Sequence, residues 1–466
     1  MIAELKPYQE YKESGLPWLG KVPAHWSVSR IKTVLRETDR RSADGSGTLL
    51  SLTRVHGLIP HRDMTDKMHS ARSLIGYKRY RAGQLVMNRM QAWSGMFGAG
   101  LTDGLVSPDY AVFDVLGEHA TKLVLERLKV PDLVSQFAVE SKGIGSGFNR
   151  LYTDRFGPIP ISLPPPAEQA AIVRFLEWAN GRLERAIRAK RKVIALLNEQ
   201  KQAIIHRAVT RGLDPSVPLK PSGIEWLGDI PQHWEIRKLR HLTRQIIDGT
   251  HFTPDYRADG IAFLRVTDIH GKEIDQSKLR RISKDEHLKL NKRCNPAKGD
   301  LLLSKNGTIG ITKVVDWDFP FSIFVSLCLI KPIKSLVDPR FISFAFAGGL
   351  LEQQLADTTK TTSVTNLHLD KIRTLILPLP PLAEQADIFG KTHEELDPIE
   401  TTISRLEREI DLLREYRTRL VADVVTGKLD VREAAARLPD EAPADSIEDD
   451  SDLSDEPDAA DEEAAE

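Results

Sequence analysis

SGLPWLGKVPAHW, residues 14–26, returns as SGIEWLGDIPQHW, residues 222–234, identical at eight of thirteen positions and using four of the seven tryptophans. Two more phrases repeat in the same order. LPPPAEQAAI (163–172) returns as LPPLAEQADI (379–388), and AVTRGLD (208–214) returns as VVTGKLD (424–430). The chain is therefore a duplicated unit, roughly residues 14–214 and 222–430. The first phrase moves from position 14 to 222, whereas the second moves from 163 to 379 and the third from 208 to 424, so the stretch between AEQ and the last phrase keeps one length in both copies. The stretches before it, 27–162 and 235–378, differ by eight residues and yield no convincing alignment. Each half reads as a shared frame holding a private insert.

The frame reads as helix. Leu183, Ile187, Ile194, Leu197 and Ile204 form an apolar stripe, and Ile399, Ile403, Leu406, Ile410, Leu413 and Leu420 form a second one closer to a heptad. Asn180-Gly181 and Asp397-Pro398 fall at equivalent places. They predict a short helix broken from a long one that starts near 182 and 398 and runs for about 27 residues, or ~40 Å. Leu-Pro-Pro before each frame ends a strand. Two such stripes bury most simply against each other, and a pseudo-two-fold pairing makes the long helices antiparallel. A spacer of that length matches about one turn of B-DNA at ~34–36 Å.

Composition narrows the function classes. The 466 residues carry 65 basic and 66 acidic side chains, but fourteen of the acids and none of the bases lie in 439–466, which leaves a body of about +13 and an acidic tail expected to be disordered. A body that basic suits a polyanion. Two cysteines, Cys294 and Cys328, cannot build a disulfide or zinc framework, and no run approaches the ~20 apolar residues of a membrane span. The expected setting is a reducing cytoplasm, with no membrane contact and no metal.

The inserts read as mixed α/β. TLLSLTRVHGLIP (48–60) and IAFLRVTDIHGKEI (261–274) look like strand, turn and strand, and Gly-Asp-Leu-Leu-Leu (299–303) like entry to a buried strand. NRMQAWSGMFGAG (88–100) presents Arg89, Gln91 and Trp93 in a Gly-rich segment. DGTHFTPDY (248–256) presents Asp248, His251, Thr253 and Tyr256, and SKNGTIG (304–310) presents Lys305, Asn306 and Thr308. Side chains of these types carry the donors and acceptors that match base edges and phosphates. The Trp phrase reads as a packing clasp between frame and insert.

The order W-L-G-x-[VI]-P-x-H-W, a variable domain, L-P-x-P-x-A-E-Q with a long helix, and V-T-x-x-L-D, all given twice, resembles the specificity subunit of type I restriction–modification systems over roughly residues 8–430. SPDYAVF (107–113), with Tyr110, and DGTHFTPDY also look like phrases of that family's recognition domains. The resemblance implies an α/β (α+β) fold in which two target recognition domains are joined by two long, antiparallel, coiled-coil-like helices. The divisions would be an N-terminal segment with the first recognition domain (1–162), a central helical region (163–214), a linker with the second recognition domain (215–378), a distal helical region (379–430) and the acidic tail (431–466). It further implies a non-catalytic chain in which each domain reads one half of an asymmetric bipartite site in double-stranded DNA. Two modification (methyltransferase) subunits carrying S-adenosylmethionine, and restriction (endonuclease/translocase) subunits using ATP and Mg, would be its partners, with no cofactor on this chain.

Three other readings compete. PDLVSQFAVESK (131–142) spaces Pro131, Asp132, Glu140 and Lys142 like a PD-(D/E)xK nuclease, just before a Gly-Ser-Gly loop. Phe389-Gly390-Lys391-Thr392 ends like a phosphate loop without its leading glycine. A duplicated adaptor that binds proteins through both inserts is the non-enzymatic rival. No Asn-Pro-Pro-aromatic or Asp-Pro-Pro-aromatic tetrapeptide of an amino-methyltransferase occurs.

Overall fold

The computed structural model describes all residues except 1–4, 55, 65–72, 144–148, 272, 357–365 and 440–466. The acidic run and the Gly-Ser-Gly loop noted above fall outside these residues. The chain forms two compact units, residues 1–188 with 410–466, and residues 189–409. The units thus divide inside the helical regions rather than at the boundaries read from the repeats.

Both units are built on a four-stranded antiparallel sheet of the same order. In the first, β1 (Leu35–Thr38), β2 (Leu85–Asn88), β3 (Phe97–Gly98) and β4 (Tyr110–Val115) are arranged β1-β4-β2-β3. In the second, β5 (Thr243–Asp248), β6 (Leu301–Ser304), β7 (Thr312–Val314) and β8 (Leu327–Pro332) are arranged β5-β8-β6-β7. The inserts therefore share a topology, which corrects the expectation that they have almost nothing in common.

A weak alignment follows once the sheets are superposed rung by rung. RAGQLVMNR (81–89) matches AKGDLLLSK (297–305), and Leu151-Tyr-Thr-Asp-Arg-Phe matches Leu367-His-Leu-Asp-Lys-Ile, both at the offset that separates AEQ from its repeat. Gly83 and Gly299, with φ of 91° and 86°, turn the chain into the two matching strands. A bulge between Thr243 and Gln245 supplies one of the eight extra residues, and most of the rest lie between β5 and β6. Sequence comparison missed this because the strands keep only apolar character, and Val86-Met87 and Leu302-Leu303 are equally buried.

The hairpin expected at 48–60 forms from Leu50–Thr53 and Gly57–Pro60. At 261–274 only Ile261–Leu264 is a strand. The next residues, Val266–Ile269, form a 3-10 turn closed by the Asp268 carboxylate accepting the Arg265 backbone N–H at 2.7 Å, and no second strand follows among the described residues of this segment. The strands Pro160–Leu163 and Ile376–Leu379 end before the prolines as the sequence implies.

The frame helices are longer than predicted. Helix α1 spans Pro166–Arg211 and α2 spans Leu382–Val425, 46 and 44 residues without the expected break. Gly181 has no positive φ, and Pro398 sits inside α2 on an exposed face where water can bond the carbonyl that its missing N–H leaves free. Leu396, buried, and Ile399, partly buried, pack into the second core on either side of that proline, so tertiary contacts override the local stop signal. Within the first unit Glu184 pairs with Arg417. Within the second, Lys190 meets Glu409 at 2.5 Å and Lys201 meets Glu400 at 2.6 Å. From the first of these two pairs to the second one number rises as the other falls, so α1 and α2 run antiparallel in the second unit. Of the predicted stripe, Leu183, Ile187, Ile410 and Leu420 are buried, whereas Ile194, Leu197, Ile204, Ile399, Ile403, Leu406 and Leu413 are partly covered.

The clasp forms as read. Trp26 and Trp234 are fully buried, and a glycine with positive φ lies against each: Gly427 beside Trp26 and Gly212 beside Trp234. Each of these glycines ends the helix of the other copy. Around Trp26 the clasp is tighter, because Tyr8 donates to Glu168 at 2.6 Å and Arg432 lies over the Tyr8 ring at 5.2 Å. Burial, and then the bond to Glu168, push the Tyr8 phenol well above its ordinary pKa. Beyond the last repeated phrase the chain is still folded: Arg432–Ala436 is a short helix whose Ala434 and Ala435 join the first core.

Candidate nucleic-acid interface

Strand direction decides which candidate residues share a neighbourhood. In the second unit β5 and β6 both pair antiparallel with β8, so they run parallel to each other and their C-terminal loops leave the same end of the sheet. Those loops are 248–256 and 304–310, and seven candidates, Asp248, His251, Thr253, Tyr256, Lys305, Asn306 and Thr308, gather there. In the first unit Tyr110 opens β4 opposite Asn88, the last residue of β2. This sets Tyr110 beside the segment that carries Arg89, Gln91 and Trp93.

The loops combine fixed and exposed groups. Asp248 is buried and collects three basic groups: Arg293 at 2.6 Å, His251 at 3.1 Å and Lys305 at 3.5 Å. Burial alone would raise its carboxyl pKa, but Arg293, His251 and Lys305 outweigh burial and hold it below the usual carboxylate range. Lys305 is also buried. Asp248 and Lys305 are thus internal to the loop pair, whereas His251, Thr253, Tyr256 and Thr308 are exposed. Tyr256 stands with Arg280 over its ring at 5.5 Å and Phe263 at 6.0 Å. Asn306 is half-buried and its Oδ1 has no hydrogen-bond partner among the described residues.

In the first unit Arg89 meets Glu37 at 2.6 Å, and its Nε is buried without a partner among the described residues. Gln91 accepts from the Asn88 amide at 3.0 Å, and the Trp93 indole donates to the Met90 carbonyl at 2.9 Å while its ring stays 42% exposed. Exposed aromatic faces on loops can stack or wedge against bases. Phe252, 56% exposed in the middle of DGTHFTPDY, belongs with them and was not singled out by sequence. Nor were Glu37 and Arg293, which no local motif marks because their partners are distant in the chain.

The residues of the two competing catalytic patterns are engaged in other contacts. Asp132 is held bidentately by Arg127 at 2.7 and 2.8 Å in the first turn of a helix, and Glu140 faces Arg155 at 3.7 Å. Both carboxylates of the nuclease-like spacing are therefore committed to arginines. Gly390 to Thr392 lie inside continuous α2, where the backbone N–H groups bond within the helix instead of facing a phosphate. Among the described residues no group of three His, Cys, Asp or Glu could hold a metal, and no helix is long and apolar enough to cross a membrane.

Residues 231–410, containing most of the second unit, match the family described as the type I restriction modification DNA specificity domain. The match takes in 180 of the 466 residues. It is 26% identical over 241 residues to the type I restriction enzyme EcoBI specificity subunit of Escherichia coli, covering 50% of this chain and 51% of that one. It is 22% identical over 441 residues to the EcoKI specificity subunit of Escherichia coli strain K12, covering 88% of this chain and 90% of that one. The first of these matches thus spans about half the relative's length. The fold is similar to that of a chain solved in work on complex assembly and conformational transition of the type I R-M system, with a TM-score of 0.57 at 16% identity over 88% of this chain and 99% of that chain. The matched residues include the loops that follow β5 and β6, and the first unit repeats the sheet with different loop residues.

Proposed function

We propose that this chain is the DNA sequence-recognition subunit of a type I restriction–modification complex. Each unit reads one half of an asymmetric bipartite site through the loops at one end of its central sheet, and α1 and α2 set the distance between the half-sites and dock two methyltransferase subunits. The observation that carries the reading is the DNA specificity domain over 231–410. One fold is given twice with unrelated residues at equivalent loops, Arg89 to Trp93 against Lys305 to Thr308, as two different half-sites require. The chain makes no bond itself in this reading. S-adenosylmethionine belongs to the methyltransferase subunits, and ATP with Mg to the restriction subunits. The body charge of about +13 favours a polyanion over the protein-binding adaptor.

The test is an insert exchange in cells that carry the partner subunits, read by methylome sequencing. Replacing 235–378 with the corresponding insert of a related chain should change one half-site and leave the other half-site and the spacer as they were. A swap that changes both half-sites, or a wild-type methylome without a bipartite motif, refutes the reading.

A further inference from the structure

The sheets align Arg89 with Lys305. Each follows the last residue of the matching strand, β2 or β6, and the step from one to the other is the step that carries AEQ to its repeat. Their carbonyls do the same work. The Arg89 carbonyl accepts the N–H of Leu151 at 2.9 Å, and the Lys305 carbonyl accepts that of Leu367, its counterpart in the second copy, at 2.7 Å. Each cation is met by a carboxylate from the first strand of its sheet or the residues directly after it. Glu37 lies 2.6 Å from Arg89, and Asp248 lies 3.5 Å from Lys305. On the rung-by-rung register Asp248 aligns with Asp39, and Glu37 sits one pleat earlier on the same face of the strand. Lys78, with its side chain only 2% exposed, bridges both acids of the first unit at 3.6 Å.

These ion clusters are a poor way to stabilise a fold. Burying the groups costs desolvation that their attraction barely recovers, and apolar residues of similar size usually do as well. What they supply is geometry. Asp248 ties together residue 251 of the first loop, residue 305 at the root of the second and Arg293, which also donates to the Gly249 carbonyl at 3.0 Å. Two loops that could move separately become one piece.

We propose that Glu37 and Asp248 are specificity-positioning residues: each carboxylate clamps the cation at the root of a reading loop, Arg89 or Lys305, and so fixes the loop shape that discriminates bases without touching a base itself. This rests on the DNA-recognition reading above.

The experiment uses the full chain in its complex, in cells, with methylome sequencing of wild type, Asp248→Asn, Asp248→Glu, Lys305→Met and Glu37→Gln. Wild type should give one bipartite motif. Asp248→Asn and Lys305→Met should relax the half-site of the second unit, with off-motif bases methylated at least tenfold more often there, while the other half-site and the spacer stay as in wild type. Glu37→Gln should relax the other half-site instead, and Asp248→Glu should restore much of the discrimination. Lys305→Met keeps the apolar stem, so it decides the matter if Asp248→Asn does not fold. The inference is overturned if Lys305→Met leaves the motif sharp, if either single change blurs both half-sites equally, or if Asp248→Glu is as relaxed as Asp248→Asn. Absence of a bipartite motif in wild type would instead overturn the DNA-recognition reading, so the two failures are distinguishable.

Discussion

Trp26 donates its indole N–H to Glu168 at 3.0 Å, and Trp234 donates to Glu384 at the same distance, so one acid at the head of each long helix locks the Trp phrase of its own copy. The two locks differ in strength. Glu168 also receives Tyr8 at 2.6 Å and His25 at 2.6 Å and its side chain is 6% exposed, whereas Glu384 receives His233 at 2.7 Å besides the indole and is 29% exposed. Glu168→Ala should therefore cost about 3–5 kcal/mol by stranding three donors, and Glu384→Ala about half of that. Urea denaturation followed by tryptophan fluorescence checks the order, and equal losses would contradict it.

Two glycines should respond in opposite ways. Gly181 lies inside α1 with open space around it, so Gly181→Ala should stabilise by about 0.5–1 kcal/mol through helix propensity alone. Gly427 has φ of 78°, and a Cβ there would stand 2.5 Å from the Pro23 ring, so Gly427→Ala should destabilise by about 1–3 kcal/mol. Thermal melts of both variants decide. A destabilised Gly181→Ala would mean that the sequence was right to expect a break there.

The Asp248 cluster carries a pH dependence. Its carboxyl pKa is lowered in the folded protein, so the ionised form favours folding; that contribution is complete above the unfolded carboxyl value of ~3.9 and is lost as pH falls through the lower folded value. The stability gap between wild type and Asp248→Asn should be constant above about pH 5 and should close below about pH 4. Denaturant titrations at several pH values measure it, and a gap unchanged down to pH 3 would mean that the cluster does not hold the carboxylate.

The paired helices make a register prediction. Four residues inserted near Val193 in α1 alone should disturb either the Lys190–Glu409 or the Lys201–Glu400 pair, because only one side of the ladder grows. A matched insertion between Glu400 and Glu409 of α2 should restore both pairs. It adds ~6 Å and about one helical turn, so the methylated motif should keep both half-sites and gain about two base pairs of spacer. Altered bases at an unchanged separation would refute the assignment of spacing to the frame.

By itself the sequence determined the duplication, the clasp, the helical frame and its stripe, because these are written as identical phrases and as periodicity that neighbours in the chain reveal. It also marked the candidate loops, as Gly-rich polar segments between apolar strands that carry Arg89, Trp93, His251 and Asn306. Three things waited for the tertiary structure. The kinship of the inserts was invisible because buried strands conserve volume and pleat rather than residues, so RAGQLVMNR and AKGDLLLSK align only once their rungs do. Helix continuity through Gly181 and Pro398 was decided by burial on both sides of each break signal, of Ala179 and Leu183 around the first and of Leu396 and Ile399 around the second, and such packing outweighs a local propensity of about 1–3 kcal/mol. The division of the candidates into exposed side chains and buried clamps depended on partners far along the chain, Arg293 and Lys305 on Asp248 and Arg89 on Glu37. Only the fold brings these charges within about 4 Å, where burial makes their pairing strong enough to shape a loop.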